Sequence, residues 1–497
     1  MKIKNMTMLA LGSALIATGC SESEKPHPPE AVEPPRMEQQ PAAPQAELLA
    51  QPGLVPGKWD LQAPQNLQPL EAALRRKEPG TLVYGLYTWA GEYLTFRDDI
   101  QKVGWPSIRI AGPFHDSIMT ALAEDEATTM VTVGNWLLDP VRNANRTGYE
   151  SDESLIEDYT EKLDAFVSKY GKEGTFLREH PELPQRPIID IELWNEPNFQ
   201  YLIPPDGSPW QEMETKREKL YAKILPALYA ATKAKHPEAN IVGFAAGGMS
   251  AGDLRFIQHV HELNPAVAKS YDVLSTHPYV RPAAPEANSV QPWGSYSISR
   301  NLNMIRDTLG KHGRADAPVW YTEIGWPILP EDGGHFPAAK PRECIPPLFQ
   351  AAYVCRTYAL ALRLNVERVH IMYITDADHF NAGFFDKDTK AWRPSATAVQ
   401  TMIKTMPNPK LTGSISDGAD GCYAYTCQAD SAQGDVPGNK VIMAWNVGGP
   451  KTLELHDLPQ QVVITDMLGT TQTRTTNEGT LSVEIGPFPI YLKGKMK

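Results

Sequence analysis

The run Pro187-Ile188-Ile189-Asp190-Ile191-Glu192-Leu193-Trp194-Asn195-Glu196-Pro197-Asn198 decides how the chain is read. Its first half is short, apolar and β-branched, the pattern of a buried strand. Proline cannot donate to a strand ladder, so the strand stops at Pro197 and leaves Trp194, Asn195 and Glu196 at its C-terminal end. A second run, Pro318-Val319-Trp320-Tyr321-Thr322-Glu323-Ile324-Gly325-Trp326-Pro327, is built the same way and also ends a strand in a glutamate. Either glutamate alone is equally well read as a structural carboxylate in a polar turn. Together they form a candidate pair for acid–base and nucleophilic work.

From about residue 80 onward, short apolar runs alternate with helix-like segments, which is the pattern of a parallel α/β fold. Strands are expected at 82–87, 107–111, 129–133, 187–193, 240–244, 273–276, 318–324 and 369–374. Apolar Leu155, Ile156, Tyr159, Leu163, Phe166 and Val167 recur at helical spacing and predict a helix over 154–170. Further helices are expected over about 212–236 and 296–309, and another after Pro394. Beyond Pro407 the texture changes to short strands near 441–445, 461–465 and 480–485, separated by Gly, Asn and Pro. That reads as a small β-sandwich domain over 408–497. Arg109 stands inside an otherwise apolar strand, and a charge placed there needs a partner.

The Trp194-Asn195-Glu196-Pro197-Asn198 and Thr322-Glu323-Ile324-Gly325-Trp326 runs resemble the acid/base and nucleophile strands of clan A retaining glycoside hydrolases. The chain looks most like family 39 and its relatives, with families 5, 30 and 51 as neighbours. The resemblance implies a (β/α)8 TIM barrel over 51–407, with Glu196 on strand 4 and Glu323 on strand 7. Active sites of such barrels lie at the C-terminal ends of the strands. It implies cleavage of β-glycosidic bonds in a polysaccharide by double displacement. Glu196 would be the acid/base and Glu323 the nucleophile, with the two carboxyls about 5–5.5 Å apart. Asn195 would bond the sugar 2-hydroxyl, and Arg109 would hold the nucleophile ionised. His277 and Tyr279 match the clan's His-x-Tyr pattern, whose tyrosine donates to the nucleophile. Trp89, Trp136, Trp194 and Trp326 end expected strands and are candidate platforms for the apolar faces of sugars. Many clan members carry a Trp at the end of strand 8. Here the chain reads Met372-Tyr373-Ile374-Thr375-Asp376, and Tyr373 is the candidate replacement, with Asp376, Asp378 and His379 available for further contacts. An exo-acting β-glycosidase of xylosidase type, a transglycosylase and a non-catalytic glycan-binding surface lipoprotein share these features. This chemistry calls for no cofactor and no metal.

The net charge of −12, with no long basic run, argues against nucleic acid as a partner. Lys2 and Lys4 precede an apolar stretch from Met6 to Thr18, too short to span a membrane, followed by Gly19-Cys20. This resembles a lipoprotein signal over 1–19, cut before a lipid-bearing Cys20. Ordinary secretion with an unmodified Cys20 is the alternative. Lipidation would tether a monomer to a bacterial membrane, the outer one where Ser21 follows the cysteine. Residues 20–50 are rich in Pro, Glu, Gln and Ala and are expected to form an extended tether. In an oxidising compartment the other four cysteines are expected to pair locally, as Cys344–Cys355 and Cys422–Cys427. Neither pair has Cys-x-x-Cys spacing and the two fall in different expected domains, so a zinc site is not expected.

Overall fold

The computed structural model describes residues 80–494, apart from 135, 139–148, 200–201, 203–207, 249–251, 287–288, 292–293, 330–343, 378–379, 419 and 430–439. The expectations for the signal, for Cys20, for the tether and for Asp378 and His379 lie outside the described residues.

Eight parallel strands close a barrel: β1 Val83–Trp89, β2 Ser107–Ala111, β3 Thr128–Val133, β4 Asp190–Leu193, β5 Asn240–Gly247, β6 Val273–His277, β7 Val319–Ile324 and β8 Arg368–Ile371. Each strand pairs with its sequence neighbours, and β8 closes on β1 through Val83–Arg368 and Leu86–Ile371. The expected (β/α)8 TIM barrel is the fold. Side chains alternate along each strand. Ile108 and Ile110 of β2, and Ile191 and Leu193 of β4, join the apolar layer under the helices. The alternate positions face the barrel axis and change character with height. Met130, Val242, Val273 and Trp320 form a small apolar cluster of their own. Above them on β3, β6 and β7, and on β2 and β4, the inward residues are polar: Thr132, Ser275, Thr322, Arg109 and Glu192, all buried. The outer helices form for ordinary reasons. Asp152–Tyr170 opens with Ser151 and Ser154 in a reciprocal capping box and buries Leu155, Tyr159, Leu163, Phe166 and Val167 on one face.

β5 runs three residues beyond its expected end because it is bulged. Its register with β6 shifts between Gly243 and Ala246, and Phe244 and Ala245 there take φ of 81° and 42°. Positive φ is costly for residues with a Cβ, so the surrounding structure imposes this bend.

After the helix Pro394–Thr405, six strands form an antiparallel sheet that faces a two-stranded sheet of Lys451–Leu455 and Leu481–Ile485. Ala424, Ile442, Val462, Ile464 and Leu492 of one sheet pack on Leu455, Leu481, Val483 and Ile485 of the other, which makes the expected small sandwich. The structure joins neither expected cysteine pair. Cys422 and Cys427 lie in one strand with an odd spacing, so they face opposite sides; Cys422 enters the sandwich core and Cys427 the core shared with the barrel. Cys355 lies within the helix Pro347–Arg363 and faces Tyr491. It is about 12 Å up the axis from the first turn that Cys344 precedes, beyond the reach of a disulfide.

Barrel and sandwich are joined by a buried charge pair. Arg356 Nε donates to Glu286 Oε1 at 2.7 Å, Trp445 Nε1 donates to the same oxygen at 2.8 Å, and Arg356 Nη1 reaches the Pro487 carbonyl at 3.2 Å. Both charged side chains are essentially out of solvent. Removing one partner strands the other charge, whereas removing both with apolar residues does not. Arg356→Met is therefore expected to lose about 3–5 kcal/mol of stability. Arg356→Met combined with Glu286→Leu should recover most of it, as read from urea midpoints. A single variant within 1 kcal/mol of wild type, on the scale of an exposed pair, would show that the pair does not couple the domains.

Candidate active site

The site lies over the C-terminal ends of the barrel strands, in a cleft of about 630 Å³. Its lining includes Tyr87, Trp89, Thr132, Trp136, Trp194, Asn195, Glu196, Phe199, Tyr279, Arg281, Glu323, Met372, Tyr373 and Phe380. The structure brings both glutamates to it, from opposite sides of the barrel.

Glu196 is aimed by a strained turn. Trp194 and Glu196 have φ of 76° and 44°, values that only surrounding contacts hold in residues with side chains. Those contacts come from β5. Glu196 N donates to Ala245 O at 3.0 Å, on the bulge. Asn198 grips Gly247 from both sides, accepting from its N at 2.9 Å and donating to its O at 3.0 Å. Gly247 has to be glycine: a Cβ there would lie 2.2 Å from Phe199 Cε2 and 2.8 Å from Glu196 Oε1.

Glu323 stands one residue before the end of β7 and is nearly buried. Arg109 Nη1 donates to its Oε2 at 3.2 Å, and the Tyr279 hydroxyl donates to Oε1. Met372 Sδ touches the same tyrosine hydroxyl. Burial, followed by the charge of Glu323, pushes the Tyr279 phenol well above its usual range, so it remains a donor.

Arg109 is the centre of the polar layer. Its Nε donates to Glu192 Oε2 at 2.8 Å, and its Nη2 reaches Glu192 Oε2 at 2.6 Å and Asn195 Oδ1 at 2.7 Å. The guanidinium lies over the Tyr87 ring at 4.4 Å. Because arginine only donates, Asn195 must face it with its oxygen, which turns its NH2 to the cleft.

His277 is fully buried with Nδ1 3.0 Å from Glu196 Oε1 and 3.9 Å from Glu323 Oε2. Burial pulls its imidazolium down to about 4, against the opposing pull of Glu323. At neutral pH it is therefore an uncharged hydrogen-bond partner between the two carboxyls. Glu196, His277 and Glu323 bring one donor atom each within 4.8 Å of one another. Arg109 already supplies positive charge at Glu323.

Among the expected platforms, Trp89 is 43% exposed at the cleft rim, and half-buried Trp136 is held by Nε1 on Thr132 O at 2.8 Å. Tyr373 lines the cleft and packs on Tyr87 at 5.4 Å. Trp326 is a correction. It is 0% exposed, donates Nε1 to Ala283 O at 2.9 Å and packs on Tyr353, away from the cleft. The proline after it turns the chain outward, so the ring falls behind the barrel wall. Asp376 is likewise committed: both its oxygens bind Arg393 at 2.7 Å.

Sequence reasoning missed Glu192, Ser275, Arg281, Phe199, Met372 and Phe380. For Glu192 the signal was present, since a carboxylate inside an apolar strand needs a partner as much as Arg109 does. Phe380 carried no such signal.

No family model and no curated protein matches the sequence. Among solved structures, the chain is similar to a family 39 glycoside hydrolase from the gut symbiont Bacteroides cellulosilyticus WH2, at 18% identity over 84% of this chain and 81% of that one, with a TM-score of 0.59. It is also similar to the thermostable GH51 α-L-arabinofuranosidase from Thermotoga petrophila RKU-1, at 12% identity over 84% and 97%, with a TM-score of 0.55. A monomeric β-xylosidase from Caulobacter crescentus CB15 matches at 12% identity over 84% and 98%, with a TM-score of 0.53. At such identities the likeness establishes a shared fold.

Proposed function

We propose that the protein is a retaining glycoside hydrolase that cleaves β-glycosidic bonds within a polysaccharide. The observation that carries this is the unequal carboxyl pair: oxygens of Glu196 and Glu323 lie within 4.8 Å of one another, and Glu323 accepts from Arg109 and Tyr279. Retaining enzymes hold their carboxyls about 5–5.5 Å apart, whereas inverting ones need about 6.5–9.5 Å for a water. In the first step Glu323 attacks the anomeric carbon, and the bond to the leaving oxygen breaks as Glu196 gives that oxygen its proton. In the second, Glu196 takes a proton from water, the water oxygen attacks the same carbon, and Glu323 departs as a carboxylate. Arg109 and Tyr279 stabilise Glu323 whenever it carries charge. The Asn195 NH2, fixed by Arg109, donates to the hydroxyl beside the reacting carbon. Neutral His277 serves Glu196 in either protonation state without adding charge beside it. The names of the β-xylosidase and arabinofuranosidase that share the fold make pentose-containing glycans the first ones to assay. For its setting, the lipoprotein-like start supports an exported enzyme anchored through an acylated Cys20.

Four outcomes are expected. Glu323→Ala should abolish release of reducing ends from a polysaccharide panel. Glu196→Ala should lower turnover by about 10²–10⁴-fold, yet act nearly normally on aryl glycosides whose leaving group needs no proton. Variants as active as wild type on every substrate would sink the assignment. Gly247→Ala should keep the fold by circular dichroism and lose about 10²-fold in kcat, because the added methyl displaces Glu196; unchanged kcat would show that the contact does not position the acid. Finally, radioactive palmitate fed to an expressing bacterium should label the full chain and not Cys20→Ala. An unlabelled wild type would remove the anchor.

A further inference from the structure

We propose that Glu192 is a positioning residue for the reaction: a permanent buried anion that shares Arg109 with Glu323 and so sets the pH window in which Glu323 and Glu196 hold their working charges. Its kinetic readout rests on the hydrolase reading. Its structural basis does not.

Glu192 stands at the middle of the barrel's polar layer with no exposure to solvent. A carboxylate is tolerated there only if donors surround it. They come from three strands. Arg109 gives it Nε at 2.8 Å and Nη2 at 2.6 Å, Thr132 its hydroxyl at 2.7 Å, and Ser275 Oγ lies 3.0 Å from Oε1. Burial pushes the Glu192 carboxyl up, but Arg109, His277 and the hydroxyls outweigh it and hold it below its ordinary value.

The consequence falls on Glu323. A guanidinium carries one unit of charge, and here two carboxylates draw on it. The titratable groups facing this pair from the neighbouring strands are neutral at working pH. His277 is pulled down to about 4 by burial, and burial pushes Tyr87, Tyr221 and Tyr279 up. His370, held well below its usual value by burial and by Arg368 and Arg109, is neutral too, which leaves Glu196, and Asp253 acting on His277. Without the Glu192 charge, Arg109 would stand uncompensated beside Glu323 and hold it too firmly as a weak nucleophile. With it, the guanidinium charge is divided between the two carboxylates. Arg109 is also held at three corners, by Glu192, Asn195 and Glu323, which keeps its fork in one orientation.

The test is Glu192→Gln, which keeps the shape and removes the charge. Both limbs of the kcat/KM–pH profile should move to lower pH by about one unit, with a lower maximum. A merely structural role would lower the rate and leave the limbs in place, and that result would overturn the proposal. A second measurement needs neither turnover nor that variant's folding. In protein carrying 13C at glutamate carboxyls, with Glu323→Gln and Glu192→Asp used for assignment, Glu192 should remain ionised to lower pH than Glu323. A Glu192 that takes up its proton first would also overturn it. If the carboxyls titrate in the expected order but no glycan is cleaved, the hydrolase reading fails and the charge-sharing assignment stands.

Discussion

One arginine shared by three acceptors is the constraint on which the site depends. Arg109 is fully buried and its fork is divided among Glu192, Glu323 and Asn195. An unpaired guanidinium could not stay in such a place, and neither could either carboxylate. Each group is therefore the condition for the others. This explains why the barrel interior turns from apolar to polar between Met130, Val242 and Trp320 below and Arg109, Glu192 and Thr132 above. The lower layer provides close packing; the upper layer gives up packing for fixed charge. Charges that are fixed before the substrate arrives need no reorganisation as the reaction proceeds, which is how such a site stabilises a developing charge.

Glu196 is placed by a different device. Glu323 stands on a one-residue register slip within its strand, between the pairs Tyr321–Val369 and Ile324–Ile371, whereas Glu196 depends on backbone with positive φ beyond its strand. The turn at Trp194–Glu196 and the bulge at Phe244–Ala245 both have positive φ, and each holds the other through Glu196 N and the Asn198–Gly247 pair. Two strained segments locked together form a stiffer mount than one loop alone. This is a physical reason for the contrast between a small-residue run, Ala245-Ala246-Gly247-Gly248, and the bulky residues of neighbouring strands.

The barrel and the two glutamates were legible because their signals are local. β-branched runs ending in Asn-Glu-Pro or Glu-x-Gly-Trp-Pro specify strand and terminus within a dozen residues. β5 was read too short because a bulge continues a strand past the point where its pattern breaks, and periodicity does not register that. The cysteine pairs failed on geometry that sequence distance hides: strand alternation separates Cys422 from Cys427, and helix rise separates Cys344 from Cys355. Trp326 misled for a related reason. Its position after the strand end matches that of a platform, but the side to which its ring falls is set by packing against Tyr353 and Ala283, residues distant in the chain.

Trp326 and the sandwich matter to the site nonetheless, through the segment that carries Tyr279. That segment leaves β6 at His277, delivers the tyrosine to Glu323, and runs on through Ala283 to Glu286. Trp326 holds its middle by donating its Nε1–H to Ala283 O. Its far end is pinned by Arg356 from the barrel and Trp445 from the sandwich, both on Glu286 Oε1. A loop held at both ends and at its middle has little freedom to withdraw the tyrosine from the carboxylate. The C-terminal domain thus reaches the chemistry without touching the cleft. It fixes, through one buried charge pair, the loop whose hydroxyl helps keep Glu323 in place. The same logic runs from the centre outward: Arg109 fixes the carboxylates, the bulge and the loop fix their partners, and the second domain fixes the loop.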